Sequence, residues 1–466
     1  MSGVLGQAKR IHFIGIGGIG MSGIAELLVN LGYEVSGSDM QRTDITDRLE
    51  SLGARITEGH DARNVSDAEV VVYSSAVRST NPEMVAARER GLAVVARAEV
   101  LAELMQLRQG IAVSGAHGKT TTTSMIALVL DVAGLDPTVV IGGRVSSFGS
   151  NARLGRGNYL VAEADESDRS FLKLSPRFAV ITNIDREHLE AYRDFDDLKA
   201  AFAQFANGIP TNGAVIMCLD DAHLRAMRSD IKRHIVTYGF GEDCDVTARD
   251  VQMNGFGSVC AVRARRPGGR VVELGQLLLA IPGRHNVLNA LAAVAMSREL
   301  GIAWSDIARG LGGFQGAERR FQRRGEAGGV AVVEDYGHHP TEIAAVIATA
   351  GPIATGRLIL AFQPHRFTRT QFLLSEFSRA FAGADVLILT DIYAAGEDPI
   401  PGVTLDALAD TVRGGFSGEL RIVRALAEVP RELAALAKPG DLIVLLGAGS
   451  IGSVAEAVLK ALGSKN

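Results

Sequence analysis

Short β-branched apolar runs alternate with helical patterns along most of this chain, the signature of parallel sheets covered by helices. "RIHFIGIG", "EVSGSD" and "EVVVYSSAV" give a first set of strands. "QGIAVSGAHG", "NYLVAEADES" and "RFAVITNID" give a second, and "GGVAVVEDY", "GRLILAFQP", "ADVLILTDI" and "GDLIVLLGAG" a third. Residues 234 to 281 break the rhythm: "IVTYGF", "DVTARDVQM", "SVCAVRARR" and "RVVELGQLLLA" read as a small antiparallel insert. The glycine-rich "GLGGFQGAERR", which starts after the helical "WSDIARG", is the best candidate for a hinge. The expectation is an α/β chain of three domains over residues 1–107, 108–317 and 318–466. The first boundary is the least marked, since "AELMQLRQG" reads as a helix running into the next strand.

A length of 466 residues accommodates two or three domains with substantial cores. Aromatic residues are only 5%, which speaks against a platform for stacking bases along single strands. The formal net charge of −5 gives no global attraction to nucleic acid or anionic lipid, so local groups must hold any anionic ligand. Cys218, Cys244 and Cys260 share no close metal-ligand spacing and imply no disulfide framework. The start "MSGVLGQAKR" has no apolar signal core, and runs such as "DLIVLLGAG" are far too short to span a bilayer. A soluble cytoplasmic protein is expected, without nucleic-acid or membrane partners and with its oligomeric state open.

Three glycine strings carry the candidate chemistry. Gly15-Ile16-Gly17-Gly18-Ile19-Gly20 lies between a strand and a helix, and Asp39 follows at about the 20-residue spacing of a dinucleotide fold. Any nucleoside diphosphate satisfies that geometry, with its phosphates at the helix N-terminus; a tight packing turn is the alternative. Gly447-Ala448-Gly449-Ser450-Ile451-Gly452 lies so near the end of the sequence that no second half completes a site, and packing is the better reading. In the middle, Gly115-Ala116-His117-Gly118-Lys119-Thr120 follows the strand "GIAVS" and opens the helix "TTTSMIALVLDVAG".

This central string is two residues shorter than the usual phosphate loop, whose lysine reaches the β- and γ-phosphates and whose hydroxyl takes Mg²⁺. A tighter turn with glycine at both ends still aims backbone N–H groups at phosphate. Four β-branched threonines are poor helix openers, a local cost that fits a loop shaped for a ligand. Glu163, at the tip of "YLVAE", is the first choice of magnesium ligand and Glu166 the second. "ITNIDREHLEAY" brings Asn183, Asp185, Glu187 and His188 to the next strand end, where His188 is a plausible metal ligand.

"GIGGIGMSGIAELL", "GAHGKTTTTSM", "AEADESD", "IPGRHNVLNALAA", "ERRFQ" and "EDYGHHPTEI", in that order, resemble the Mur ligases over nearly the whole chain. Within that family the likeness is greatest to the branch that joins L-alanine to UDP-N-acetylmuramate. The two-residue shortening matches the family's own loop. The resemblance implies a Rossmann-like first domain for the UDP-sugar, a central P-loop ATPase-type sheet for ATP, and a Rossmann-like third domain for the amino acid. It implies that ATP phosphorylates the lactyl carboxylate and that the amine of L-alanine attacks the acyl phosphate, in peptidoglycan precursor synthesis.

By the same resemblance Lys119, Glu163 and His188 are the catalytic centre, with Thr120, Glu163 and His188 as magnesium ligands. The loop Gly115, Ala116, His117, Gly118, Lys119, Thr120 and Thr121 holds ATP. Asn286 reads adenine, with a helix N-cap as its alternative, and Arg320 and Asp335 reach ATP from the third domain. Gly15, Gly17, Gly18, Gly20, Asp39 and Ser75 take the UDP-sugar. Tyr336, His338, Arg366 and Arg369 take the amino acid, the two arginines sharing one face if "PHRFTRT" is helical.

Two departures matter. "REHLE" replaces the family's acid-His-Met-Asp string. Where related ligases carry a carbamylated lysine this chain has Phe202, with Lys199 one turn earlier, so no carbamate bridge is expected. The alternatives are a recycling ligase that adds a tripeptide to the same sugar, an NAD-dependent oxidoreductase, and an ATP-hydrolysing switch protein.

Overall fold

Strands such as Ala214–Cys218 and Leu358–Phe362 are buried at every position. Helices cover both faces of such parallel strands, so they read as unbroken apolar runs. The computed structural model describes residues 3, 5–6, 8–74, 76–145, 150–187 and 191–464. It contains three sheets and divides into two compact units: Met1–Asp250 with Cys260–Leu277 and Leu288–Phe314, and Val251–Val259 with Leu278–Val287 and Gln315–Asn466. The division at Phe314/Gln315 falls inside the glycine-rich stretch expected to be a hinge.

The first sheet is parallel, ordered Arg55–Glu58, Glu34–Asp39, Arg10–Ile14, Val70–Tyr73, Ala93–Ala96. That is the Rossmann order 3-2-1-4-5, one strand short of the six-stranded sheet. The helix Arg97–Gln106 then runs almost directly into the strand Gln109–Ser114, with only Leu107 and Arg108 between them.

Ten strands form the second sheet. At its centre Gln109–Ser114 lies between Tyr159–Glu163 and Phe178–Ile181, all parallel. Val113 pairs with Glu163 and Ser114 with Ile181, so three strand ends lie side by side where the central glycine loop begins. The strands of the expected insert lie in this same sheet. Ile235–Gly239 pairs in parallel with Ala214–Cys218, and Val246–Asn254, Gly257–Arg265 and Val271–Leu279 continue the same sheet to its edge.

The third sheet runs Gln322–Ala327, Val330–Asp335, Leu442–Leu446, Leu358–Phe362, Val386–Leu389, Glu419–Ile422, antiparallel only at the first pair. Its two faces are packed by separate clusters, one around Phe362, Phe377 and Phe381 and one around Ile443, Leu433 and Val458. Asp335 and Phe362 both pair with Leu446, so the loops after these three strands gather at one edge.

Candidate active site

Pairing of the strand ends builds the central loop. Gly115 (φ +132) and Gly118 (φ +81) take backbone conformations that side chains rarely adopt. Space forbids a side chain as well: a Cβ at Gly115 would lie 2.1 Å from Thr182 Oγ1, and one at Gly118 2.5 Å from Asn289 Oδ1. The neighbouring strand end clamps the loop between these glycines. The Thr182 hydroxyl donates to the His117 carbonyl at 2.6 Å, and Asn183 Nδ2 donates to the same oxygen at 3.0 Å. Asn183 Oδ1 accepts from His117 N at 2.8 Å, and its carbonyl accepts from Ala116 N at 3.2 Å. His117 Nε2 lies 2.9 Å from Asp185 Oδ2.

The amides of Ala116 and His117 therefore face the neighbouring strand. Gly118 caps the helix Lys119–Val132 without a side-chain hydrogen bond. The first four amides of any helix lack an intrahelical acceptor, here those of Gly118, Lys119, Thr120 and Thr121. Such an end suits phosphate. Thr122, one residue beyond, is buried and donates to Asn289 Oδ1 at 3.2 Å. Asn289 carries no role in the sequence reading, although it lies in the quoted "IPGRHNVLNALAA" string.

Lys119 curls back over its own loop. Its Nζ donates to the carbonyls of Gly115 and Ala116 and to Glu166 Oε1 at 2.8 Å. Burial pushes this ammonium down, but the carboxylates of Glu166 and Asp165 outweigh burial and hold it above the ordinary lysine value. The Tyr192 hydroxyl fixes the acid loop by donating to the Glu166 carbonyl at 2.5 Å. Glu163 sits on the other side, with Oε1 accepting from Gly142 N at 2.8 Å. The Thr120 hydroxyl makes no hydrogen bond among the described residues. A hydroxyl and a carboxylate are hard oxygen donors, the kind Mg²⁺ takes, so Thr120 and Glu163 fit that ion. His188 lies outside the described residues, as does Ser75.

In the first glycine loop the Ser38 carbonyl accepts from Gly15 N and Ile16 N, and Asp39 Oδ2 accepts from Gly17 N at 2.8 Å. Asp39 thus holds the loop with one carboxylate oxygen. Gly18 caps the helix Ile19–Asn30. The lack of a side chain at Gly17 lets Asp39 approach, and at Gly20 it admits the guanidinium of Arg97.

Asn286 is not an N-cap. It lies inside the first turn of Arg284–Glu299, and its Nδ2 donates to the Pro282 carbonyl at 2.6 Å. Phe202, at the position where related ligases carry the modified lysine, is buried against Phe171 with ring centroids 5.2 Å apart. Lys199 pairs with Asp196 at 2.6 Å.

The third sheet's gathered loops assemble a second cluster. Asp335 accepts from Phe321 N at 2.7 Å and Gly337 N at 2.6 Å. Burial pushes its carboxyl up to about 6, against the pull of Arg320. Arg320 and Arg319 both lie over the Tyr336 ring, and His338 Nδ1 lies 3.0 Å from the Tyr336 carbonyl. Arg369 Nη1 donates to His365 Nδ1 at 3.1 Å, and the His365 ring stacks on Tyr393. Arg366 and Arg369 do not share a helical face. The helix is Phe367–Phe372, and Arg366 precedes it with φ +70, a conformation that costs energy for a residue with a Cβ. His365, which the sequence reading passed over, is held down to about 3 by burial, with His338 and Arg369 adding repulsion.

The terminal glycine string is a packing device. A Cβ at Gly447 would lie 2.7 Å from the Gln363 carbonyl oxygen. One at Gly449 would meet Gln363 Oε1 at 2.6 Å, and one at Gly452 would lie 1.8 Å from Glu334 Oε1.

Comparison with known proteins gives three family matches in chain order: "Mur ligase family, catalytic domain" over residues 10–109, "Mur ligase middle domain" over 113–297, and "Mur ligase, glutamate ligase domain" over 319–449. A UDP-N-acetylmuramate–L-alanine ligase of Syntrophus aciditrophicus is 52% identical over 98% of this chain and 94% of its own. The crystal structure of a UDP-N-acetylmuramate–alanine ligase from Thermotoga maritima aligns with TM-score 0.82 at 30% identity, covering 98% of this chain and 100% of that one. A murein peptide ligase from Psychrobacter arcticus shares the fold, with TM-score 0.72 at 24% identity over 98% and 99% of the two chains.

Proposed function

The chain belongs to the Mur ligase family, and from that premise we propose that it is an ATP-dependent carboxylate–amine ligase joining L-alanine to UDP-N-acetylmuramate in peptidoglycan precursor synthesis. The observation that carries this reading is the compact Gly115–Thr120 turn, clamped by Thr182 and Asn183, with Lys119 beside two carboxylates. No helix among the described residues is long and apolar enough to cross a membrane, and a cytoplasmic enzyme of cell-wall growth and division fits such a chain.

A carboxylate resists attack by an amine because its leaving group would be oxide. Transfer of the γ-phosphoryl group of ATP to a lactyl carboxylate oxygen releases ADP and gives that carbon a good leaving group. The amine of L-alanine then attacks the acyl carbon, and the tetrahedral adduct loses phosphate and a proton to form the amide. Phosphoryl transfer between two anions is driven by position and concentrated positive charge. Lys119 supplies that charge at the β- and γ-phosphates, and the amides of Gly118 to Thr121 aim at the same groups. Mg²⁺, held by Thr120, Glu163 and His188 with Glu166 as the alternative carboxylate, adds neutralising charge when bound.

Asn286 reads adenine, and Arg320 and Asp335 contact ATP from the third domain. Gly15 to Gly20, Asp39 and Ser75 take the UDP-sugar. Tyr336, His338, Arg366 and Arg369 hold L-alanine, whose carboxylate suits a guanidinium fork. The domains divide near residues 107 and 317. Phosphate release from ATP and Mg²⁺ tests the function: it should require both UDP-N-acetylmuramate and L-alanine. Turnover indifferent to either, or stimulated by a tripeptide in place of alanine, would contradict the reading.

A further inference from the structure

We propose that Arg97 is a substrate-binding residue that receives an anionic group of the sugar nucleotide between the first glycine loop and the acid loop beside Lys119. The inference rests on the reading that the first loop takes the UDP-sugar. Four observations carry it.

Arg97 is the first residue of the helix Arg97–Gln106. A cation there faces the positive end of the helix dipole and is disfavoured for folding alone. Its side chain is only 21% exposed, yet the guanidinium makes no hydrogen bond among the described residues. Its single ion pair there, Nη2 to Asp165 Oδ2, spans 3.7 Å, too long for a hydrogen bond. Its donors reach solvent and take no acceptor among the described residues, so the five-donor fork has them in hand for a ligand.

Position identifies that ligand. Arg97 Nη1 fills the space where a side chain at Gly20 would stand, 2.5 Å from an ideal Cβ, so one edge of the fork lies against the last glycine of the first loop. Its other edge points to Asp165, in the same acid loop as Glu166, the partner of Lys119. The start of the helix after the first loop is itself anchored to the central sheet: Asn151, in the strand Ser150–Arg153, donates through Nδ2 to the Ile19 carbonyl at 2.5 Å and lies 3.0 Å from Ser22 Oγ. A substrate that lies along the first loop and presents a carboxylate toward Lys119 must pass Arg97. Its diphosphate and its carboxylate share the chemistry that a guanidinium binds.

The test is calorimetric binding of UDP and of UDP-N-acetylmuramate to the full chain, wild type, Arg97→Ala and Arg97→Lys, with an ATP analogue and thermal unfolding as controls. Loss of one charge-assisted contact predicts roughly 10- to 100-fold weaker sugar-nucleotide binding in R97A. R97K should recover part of it, and ATP-analogue affinity should be retained. Weakening for UDP and UDP-N-acetylmuramate alike assigns the diphosphate; weakening for UDP-N-acetylmuramate alone assigns the carboxylate. Wild-type affinity in R97A for both ligands, or equal loss for the ATP analogue, overturns the proposal. A wild-type protein that binds neither uridine compound overturns instead the reading of the first loop.

Discussion

Lys119 Nζ and Glu166 Oε1 lie 2.8 Å apart, so the lysine of the phosphate loop is paired with the third residue beyond the neighbouring strand Tyr159–Glu163 and not with the strand-end acid Glu163 itself. Glu166 is almost wholly buried and Glu163 is turned to the Gly142 amide. The ion pair keeps Lys119 charged and holds it folded over the loop where phosphate is to bind. Lys119→Ala should lower kcat by roughly 100- to 1000-fold or more while UDP-N-acetylmuramate binding stays intact. Glu166→Gln should destabilise the protein by about 1–3 kcal/mol, because a buried ammonium loses its partner. Steady-state kinetics, sugar-nucleotide titration and denaturant unfolding check the three expectations together; parallel loss of sugar-nucleotide binding in Lys119→Ala would count against separate nucleotide sites.

The clamp on the short loop is a second target. Thr182→Val keeps the shape of the side chain and removes the hydroxyl that bonds the His117 carbonyl. The KM for ATP should rise about tenfold, the equivalent of roughly one hydrogen bond, while the KM for L-alanine stays put. Thr182→Ser should behave like wild type. An unchanged KM for ATP in Thr182→Val would mean that the loop holds its form without the clamp.

Gly452 tests the packing role of the terminal glycine string. A methyl group there meets the Glu334 carboxylate, which is itself tied to Arg319 at 2.7 Å. Gly452→Ala should cost about 1–3 kcal/mol of stability, the range for forcing atoms into a packed site, and leave all three substrate KM values unchanged. A selective rise in one KM would make the string part of a binding site after all.

Much of this was legible in the chain itself. Strands buried on both faces announce themselves as apolar runs, and the three glycine strings each sit at a strand end, where a parallel sheet places its loops. What escaped notice depends on contacts distant in sequence. The clamp joins His117 to Thr182 and Asn183 across about 65 residues of intervening chain, and Arg97 meets Gly20 only after the first sheet has closed. Arg366 escaped for a different reason: residue spacing predicts a helical face, but its positive-φ backbone makes the helix begin only at Phe367. The strands after Ile235–Gly239 were recognised as strands but not as part of the central sheet, because edge pairing leaves no mark on composition.

His365 gives a pH dependence with a definite sign. Burial first, and then His338 and Arg369, lower it from 6.5 to about 3. Between those values the unfolded chain binds a proton that the folded chain excludes, so this residue's contribution to stability is lost as pH falls from about 6.5 toward 3. Asp335 works in the opposite direction: raised from 3.8 to about 6, it favours the folded state less as pH rises through that window. Urea midpoints of the full chain measured from pH 4 to 7 should show a shallower fall toward acid in His365→Asn than in wild type, and a steeper one in Asp335→Asn. Identical slopes in all three proteins would remove these groups from the titration.

The most direct test of the central claim follows one oxygen atom. UDP-N-acetylmuramate carrying ¹⁸O in its lactyl carboxylate, incubated with ATP, Mg²⁺ and L-alanine, should yield inorganic phosphate that has gained one ¹⁸O per amide formed, since the acyl phosphate breaks between carbon and the bridging oxygen. Amide product accompanied by phosphate free of ¹⁸O would contradict activation of the carboxylate by phosphorylation.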